Sequence, residues 1–416
     1  MASERFTFDF RPGRIVVGPG CVDRLGEELD RQGRERALLV SGRTVGTTSA
    51  VVDPIRQGLG DRLVAAFPET TPAKTLGTAL AGFEAARNAD ADVVVAVGGG
   101  STLDTAKVLA ALSSHGDAAA AIARDAVATG GLPVAPEGDP LPIVAVPTTL
   151  AGADLSDIAG VTLTLERDAD LAAEGAGGDT DAQTPRSGGV GDPRLMPAAL
   201  FYDADLFRTT PASVLATSAM NGFDKGIEML YSPLATPITD GTAARGLRLL
   251  RSGLPTIREE PMDAERLADV LAGIVNVQYG LAGAEGYRAS IVHAFGHGFS
   301  HASDVHQGTI HGVVAPWVLR YVFREADARR EILAEALGLD VVTRSDDEVA
   351  AAIVDAVEAV RDDLGLPSRL RDVDGVEQAD FPAIAESIRE DDLLAVAPEG
   401  VDPSVAEIAA ILERAW

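Results

Sequence analysis

The stretch ADVVVAVGGGSTLDTAK, residues 91–107, decides how this chain folds. Residues 93–97 are an unbroken apolar, largely β-branched run, which reads as a strand buried on both faces. The run ends in Gly98, Gly99 and Gly100, and a helix opens at Ser101. Glycines without side chains let backbone N–H groups approach an anion, and the helix presents its positive end at the same place. Strand, glycine turn and helix together are how a pyrophosphate is held. The spacing is neither GxGxxG nor a P-loop, and a glycine triplet by itself reads equally well as a turn.

Working outward, ALLV (37–40), PIVAVP (142–147) and ALFYD (199–203) read as further buried strands, with helical spacing between them. Repetition of strand, helix and strand predicts a parallel sheet with flanking helices. We therefore expect an α/β N-terminal dinucleotide-binding domain over 1–208. ERDADLAAEGAGGDTDAQTPRSGGVGDP (166–193) breaks the rhythm, being rich in Gly, Asp and Thr, and reads as an exposed loop. From Pro211 onward the pattern is helical, as in LADVLAGIVNVQYGLAG and DEVAAAIVDAVEAVRDDLG, so 209–416 reads as an all-α C-terminal domain. A chain of 416 residues has the length for two such domains.

A net charge of -28 repels nucleic acid and anionic membranes, so neither is expected as a partner. The 46% hydrophobic content argues against disorder. No apolar run reaches the roughly 20 residues of a membrane helix, and MASERFTFDF lacks the features of a signal peptide, so a cytoplasmic location is expected. The single Cys21 excludes an internal disulfide and a thiolate-rich metal site within one chain. Lys74, Lys107 and Lys225 are the only lysines. An acidic, lysine-poor surface suits a halophilic protein working in high salt, and a GC-rich genome produces the same bias.

Five of the six histidines fall between His293 and His311, in IVHAFGHGFSHASDVHQGTIHG. On a helix His293, His297 and His301 stand one turn apart, as a comb of metal ligands would. The plainer reading is a polar helix edge. His301 and His115 read as structural or solvated.

GGGSTLDTAK, then LPIVAVPTTLAGADLSDIAG (141–160), then the histidine segment, in that order, resemble the iron-containing alcohol dehydrogenase superfamily, which has the dehydroquinate synthase-like architecture. The resemblance runs from GPG (18–20) to the helical half and makes the second domain the catalytic one. It implies an NAD(P)-dependent oxidoreductase, usually a homodimer, transferring hydride between nicotinamide and a small alcohol or carbonyl compound or an enoate-type acid. It places Gly98, Gly99, Gly100 and Ser101 under the pyrophosphate, Asp104 and Lys107 in the following helix, and Thr148 and Thr149 beside the cofactor, with the nicotinamide directed into the cleft between domains. Asp104 reads equally as a first-turn carboxylate favoured by the helix dipole, and the role of Lys107 stays open. Gly42, beside Arg43, stands where the family often has an Asp that repels the extra phosphate of NADP, so NADP is expected to be accepted as well as NAD.

The family binds iron or zinc through an Asp and a His four residues apart, then two further histidines. In SAMNGFDKGIEMLYSP (218–233) the first pair reads Asn221 and Lys225. A neutral amide is a weak ligand, and a protonated ammonium has no lone pair to give. His293 matches the third ligand and His297 the family's active-site histidine. Gapless alignment puts Gln307 at the fourth, and a slip of one residue would bring in His306. No divalent metal is expected. SAMNGFDKGIEMLYSPLATPITDGTAARG (218–246) is similar to the metal-free branch, the maleylacetate reductases, which also carry Asn at the first position and a histidine at that of His311. Those enzymes keep a histidine where Lys225 stands.

The expected site therefore pairs Lys225, as a substitute cation for the reacting oxygen or a substrate carboxylate, with Asn221 to orient a small, anionic substrate. His297 or His311 supplies the proton and His293 completes the cluster. Lys225 reads alternatively as a surface lysine or an ion-pair partner of Asp224 or Glu228. Two other readings stay open: a dinucleotide-binding protein without turnover, and a metal-dependent dehydrogenase with a rearranged histidine site.

Overall fold

The structure, a computed structural model, describes residues 13–167, 186–282, 289–302 and 305–416, without the side chains of 301 and 302. The chain divides into two compact units, one ending at Thr210 and one running Pro211–Trp416.

The first unit is built on strands β1 (Arg14–Val17), β2 (Ala37–Gly42), β3 (Leu63–Thr70), β4 (Val93–Gly98), β5 (Ile143–Pro147) and β8 (Ala199–Tyr202). They form one parallel sheet in the order β1-β8-β5-β4-β2-β3. Every residue of β4 is buried, and Val95 lies opposite Leu39 on β2 and Val144 on β5. An apolar run without alternation thus takes a central position, where neighbours cover both faces. β3 lies at the edge, which is where a strand tolerates Pro68.

Helices α1 (Leu25–Gln32), α2 (Arg43–Thr47), α3 (Ser49–Leu59), α4 (Leu76–Asn88), α5 (Gly100–Ser113), α6 (Ala119–Thr129) and α7 (Ala204–Phe207) accompany the sheet. Leu25 and Leu29 of α1 and Val51, Val52, Ile55 and Leu59 of α3 pack into one core with Val93, Val95 and Val97 of β4.

A second, antiparallel pair joins β6 (Ile158–Leu163) to β7 (Arg186–Gly191). This corrects the loop expected over 166–193: residues 186–191 form a strand, and Pro193–Leu195 form a short 3-10 turn capped by Asp192. The sequence RSGGVG gives no side-chain alternation because it pairs through its backbone. A Cβ on Gly188 would come within 2.7 Å of Leu163, so the glycine that disguises the strand also permits it. Residues 168–185 of that expected loop lie outside the described residues.

The second unit contains helices α8 (Ala212–Tyr231), α9 (Pro237–Gly253), α10 (Ala264–Ala282), α11 (Ile291–Ala302), α12 (Gln307–Glu325), α13 (Arg330–Ala336), α14 (Asp346–Asp363), α15 (Phe381–Arg389) and α16 (Val405–Ala415). Reciprocal capping boxes at Thr236/Thr239, Ser345/Glu348 and Ser404/Glu407 fix the starts of α9, α14 and α16. Glycines set how closely helices approach: a Cβ on Gly246 of α9 would lie 2.9 Å from the Gly273 carbonyl of α10, and one on Gly308 of α12 would overlap the Thr217 carbonyl of α8. Among the described residues no helix is long and apolar enough to cross a membrane.

Candidate active site

In the first unit the glycine turn is enforced by space as well as by conformation. Gly98 has a φ of 149°, and a Cβ there would lie 2.9 Å from Thr102 Oγ1. One on Gly99 would lie 3.1 Å from Thr149 Cγ2. The backbone N–H of Thr102 and that of Leu103 both donate to the Gly99 carbonyl, at 3.0 and 3.2 Å, starting α5. Thr148, buried, donates its N–H to the Gly98 carbonyl at 3.0 Å and accepts from Thr210 Oγ1 at 3.0 Å. Ser101 is half-buried, and its carbonyl accepts from Thr105 Oγ1 at 2.9 Å. A turn of bare glycines packed against Thr102 and Thr149, at the N-terminus of a 14-residue helix, fits the pyrophosphate of a dinucleotide.

Asp104 is held by Lys74 Nζ at 2.9 Å. Lys107 is fully buried, and its ammonium donates to the carbonyls of Ala153 at 2.6 Å and Ile158 at 3.1 Å. Burial pushes its pKa down against the pull of Asp104, Asp154 and Asp157. The role left open for Lys107 is thus a clamp on the segment after β5. Nearby, Tyr202 donates its hydroxyl to Asp154, both buried. Gly42 ends β2, where a Cβ would lie 3.2 Å from the Thr70 carbonyl, and Arg43 is exposed. His115 bonds the Pro133 carbonyl through Nε2 at 2.8 Å.

In the second unit α8 sets Asn221, Asp224, Lys225 and Glu228 along one face at i, i+3, i+4 and i+7. Glu228 is the hub. Its carboxylate accepts from Ser290 N at 2.9 Å, Val292 N at 2.7 Å, Tyr231 Oη at 3.1 Å and His293 Nδ1 at 2.5 Å. It thereby satisfies N–H groups at the start of α11, which no helical carbonyl reaches. Burial works to raise the Glu228 pKa, but His293 and these donors outweigh it and hold the group below its ordinary value. An ionised acceptor fixes the proton of His293 on Nδ1, leaving Nε2 a bare lone pair. That Nε2 is buried and finds no hydrogen bond among the described residues.

His311, on α12, is fully buried and meets His293 edge to face at 4.4 Å between ring centroids. Burial, helped by the Lys225 ammonium, lowers the pKa of His293 to about 4 and of His311 to about 3. Asp224 Oδ2 lies 3.4 Å from His311 Nδ1, and neither Asp224 oxygen nor either His311 nitrogen makes a hydrogen bond among the described residues. Burial drives the Asp224 pKa well above its ordinary value. Gly296 makes the room: a Cβ there would overlap His311 Nε2.

His297 lies one turn beyond His293 on α11 but in a different setting. Its side chain is 35% exposed, and Nδ1 is 2.8 Å from Asp391 Oδ2. Asn221 and Lys225 are half-buried, His306 is exposed, and Gln307 opens α12, whose Gly308 approaches the backbone of Asn221. The side chain of His301 lies outside the described residues.

Asp224, Glu228 and Asp391 were not expected as site residues. The first two could have been found from their spacing with Asn221 and Lys225 on one helical face. Asp391 gives no local signal, standing 94 residues from its partner.

Asn221 and Lys225 are poor ligands for an iron or zinc ion, and the fourth position expected from the resemblance reads Gln307 with His306 beside it. Among the described residues no group of three or more His, Cys, Asp or Glu is placed to hold a metal.

Residues 12–173 match the model of the iron-containing alcohol dehydrogenase, and residues 215–416 match that of the Fe-containing alcohol dehydrogenase family, C-terminal. The chain is 26% identical to the lactaldehyde reductase of Escherichia coli K12 over 96% of its length and 97% of that protein. It is 29% identical to the maleylacetate reductase of Pseudomonas knackmussii, covering 93% of this chain and 92% of that one. Among solved structures, the alcohol dehydrogenase from Oenococcus oeni superimposes with a TM-score of 0.83 at 20% identity, over 100% of both chains. The sulfoacetaldehyde reductase from Bifidobacterium kashiwanohense, solved in complex with NAD+, gives 0.81 at 18% identity over 99% of both.

Proposed function

The chain belongs to the iron-containing alcohol dehydrogenase superfamily and is an oxidoreductase, and on that premise we propose that it is an NAD(P)H-dependent reductase of small, anionic carbonyl or enoate compounds that works without a metal. One observation carries the reading: where the family binds its ion, this chain has Lys225, whose charge acts on both buried histidines.

The glycine turn of Gly98, Gly99 and Gly100, with Ser101, Thr148 and Thr149, would hold the pyrophosphate. The bound nicotinamide supplies the hydride. Lys225 neutralises the charge that gathers on the substrate oxygen, the work a metal does elsewhere, and an ammonium in a water-poor site is suited to it. Asn221, one turn before it, orients the substrate by hydrogen bonding. His297 hands over the proton. Its partial exposure supports that assignment over His311, which is sealed from solvent and holds no proton it gives readily. An exposed Arg43 beside Gly42, with no acidic side chain at either position, supports acceptance of NADP as well as NAD.

Lys225→Met tests the reading. Turnover of NAD(P)H with a panel of aldehydes, ketones and keto acids should fall by roughly 1,000-fold, while cofactor affinity, followed by fluorescence, stays within about twofold. Unchanged turnover would refute the role of Lys225. Turnover that depends on added iron or zinc would refute the metal-free site. Tight cofactor binding without oxidation of NAD(P)H by any substrate would make the chain a dinucleotide-binding protein.

A further inference from the structure

We propose that Asp391 is the positioning residue for His297, fixing which of its nitrogens carries the transferable proton; this rests on the reading of His297 as the proton donor. The contact is built from two directions. The Asp391 carboxylate meets a donor on each oxygen. Oδ1 accepts the Leu393 backbone N–H at 2.8 Å, capping the 3-10 helix Asp392–Val396, and Oδ2 faces His297 Nδ1 at 2.8 Å. One oxygen is therefore pinned to the main chain while the other meets the imidazole. The main chain is pinned as well, because Asp391 N donates to the Ile388 carbonyl at 3.1 Å at the end of α15.

The second direction is helix packing. α15 lies against α11 where a glycine permits it: a Cβ on Gly298 would come within 2.5 Å of Ile388 Cγ1. Gly298 follows His297 directly, so the close approach brings the end of α15, and with it Asp391, to the ring. Asp391 is 13% exposed in its side chain against 35% for His297, which leaves the acid inward and part of the ring outward.

An ionised carboxylate only accepts, so the facing nitrogen Nδ1 holds a proton and Nε2 is the working atom. In the reduction, bound NAD(P)H would supply hydride to the carbonyl carbon, and the π pair would move to oxygen. That oxygen takes the proton from Nε2 of the imidazolium, the N–H pair stays on nitrogen, and water restores the proton. The Asp391 carboxylate keeps Nδ1–H in place throughout, so the ring never turns over.

The test is a double-mutant cycle with Asp391→Asn and His297→Gln, joined to 15N NMR of the histidine rings. Asn keeps an oxygen for the Leu393 cap but loses the charge. Asp391→Asn should lower kcat at least about tenfold with the carbonyl KM within about threefold, and should have no further effect once His297 is Gln. The His297 signals at pH 8 should report the Nδ1–H tautomer in the parent and a mixture in the variant. Losses that multiply in the double variant, an unchanged kcat, or an unchanged tautomer would overturn the proposal. If Asp391→Asn does not fold, Asp391→Ser keeps a capping oxygen too short to reach the ring and serves in its place. A parent protein that reduces no carbonyl refutes the functional reading alone, and the tautomer still decides the role of Asp391.

Discussion

His293 and His297 occupy the same face of α11, one turn apart, and lead opposite lives. His293 is sealed among Glu228, His311 and Asp224, and burial keeps it neutral down to about pH 4. His297 is a third exposed, and its partner Asp391 comes from a distant part of the chain. Two identical side chains at helical spacing are thus divided by their surroundings, one sealed in the core and one open to water. The comparison teaches that helical spacing alone does not set a histidine's environment: the partners that other helices bring to it do.

The comparison breaks hardest at Glu228. Glu228→Gln leaves the donors of Ser290, Val292 and His293 facing an amide with one acceptor, and should destabilise the second unit by about 3–5 kcal/mol in urea unfolding. A loss below about 1 kcal/mol would mean that the buried histidine does not depend on this hub. Gly296→Ala is milder: the added methyl must push His311 aside, costing roughly 1–3 kcal/mol. Unchanged stability would show that the His293–His311 contact yields freely.

The smallest effect is a slope. His293 and His311, held to about 4 and about 3 when folded, take up protons at about 6.5 once unfolded. The unfolded chain then binds more protons, so their contribution to stability is complete above pH 6.5 and is lost as pH falls toward 4. Asp224 acts in the other direction, since its raised pKa keeps a proton that the unfolded carboxyl has released. Each histidine contributes a slope that grows from about 0.7 kcal/mol per pH unit at pH 6.5 to about 1.4 near pH 5, and Asp224 offsets part of the sum. Asp224→Asn removes the offset and should steepen the slope, measured by urea unfolding at pH 6.5, 5.75 and 5. Identical slopes in the two proteins would mean that Asp224 is already ionised when folded.

The central strands were legible because β2, β4, β5 and β8 are fed by apolar runs with no polar interruption. β1 and β3 were not read, one being four residues beginning with Arg14 and the other carrying Pro68 at the sheet edge. β7 was read as loop because its glycines present no pattern. The glycine turn could be read since its glycines and helix start are contiguous, and the cluster on α8 since helical spacing gathers it. The partners that sort the histidines could not: Glu228 reaches His293 across 65 residues and Asp391 reaches His297 across 94, contacts that only the packing of α8, α11 and α15 creates.

The scarcity of lysine has a practical consequence. Lys107 is sealed behind the segment it clamps, and Lys74 is engaged by Asp104. With three lysines in the sequence, one of them fully buried, an amine-acylating reagent meets few side chains on this protein. Mass spectrometry of briefly carbamylated samples can therefore compare Lys74 and Lys225 directly, without an introduced tag, and report which small acids change the labelling of either.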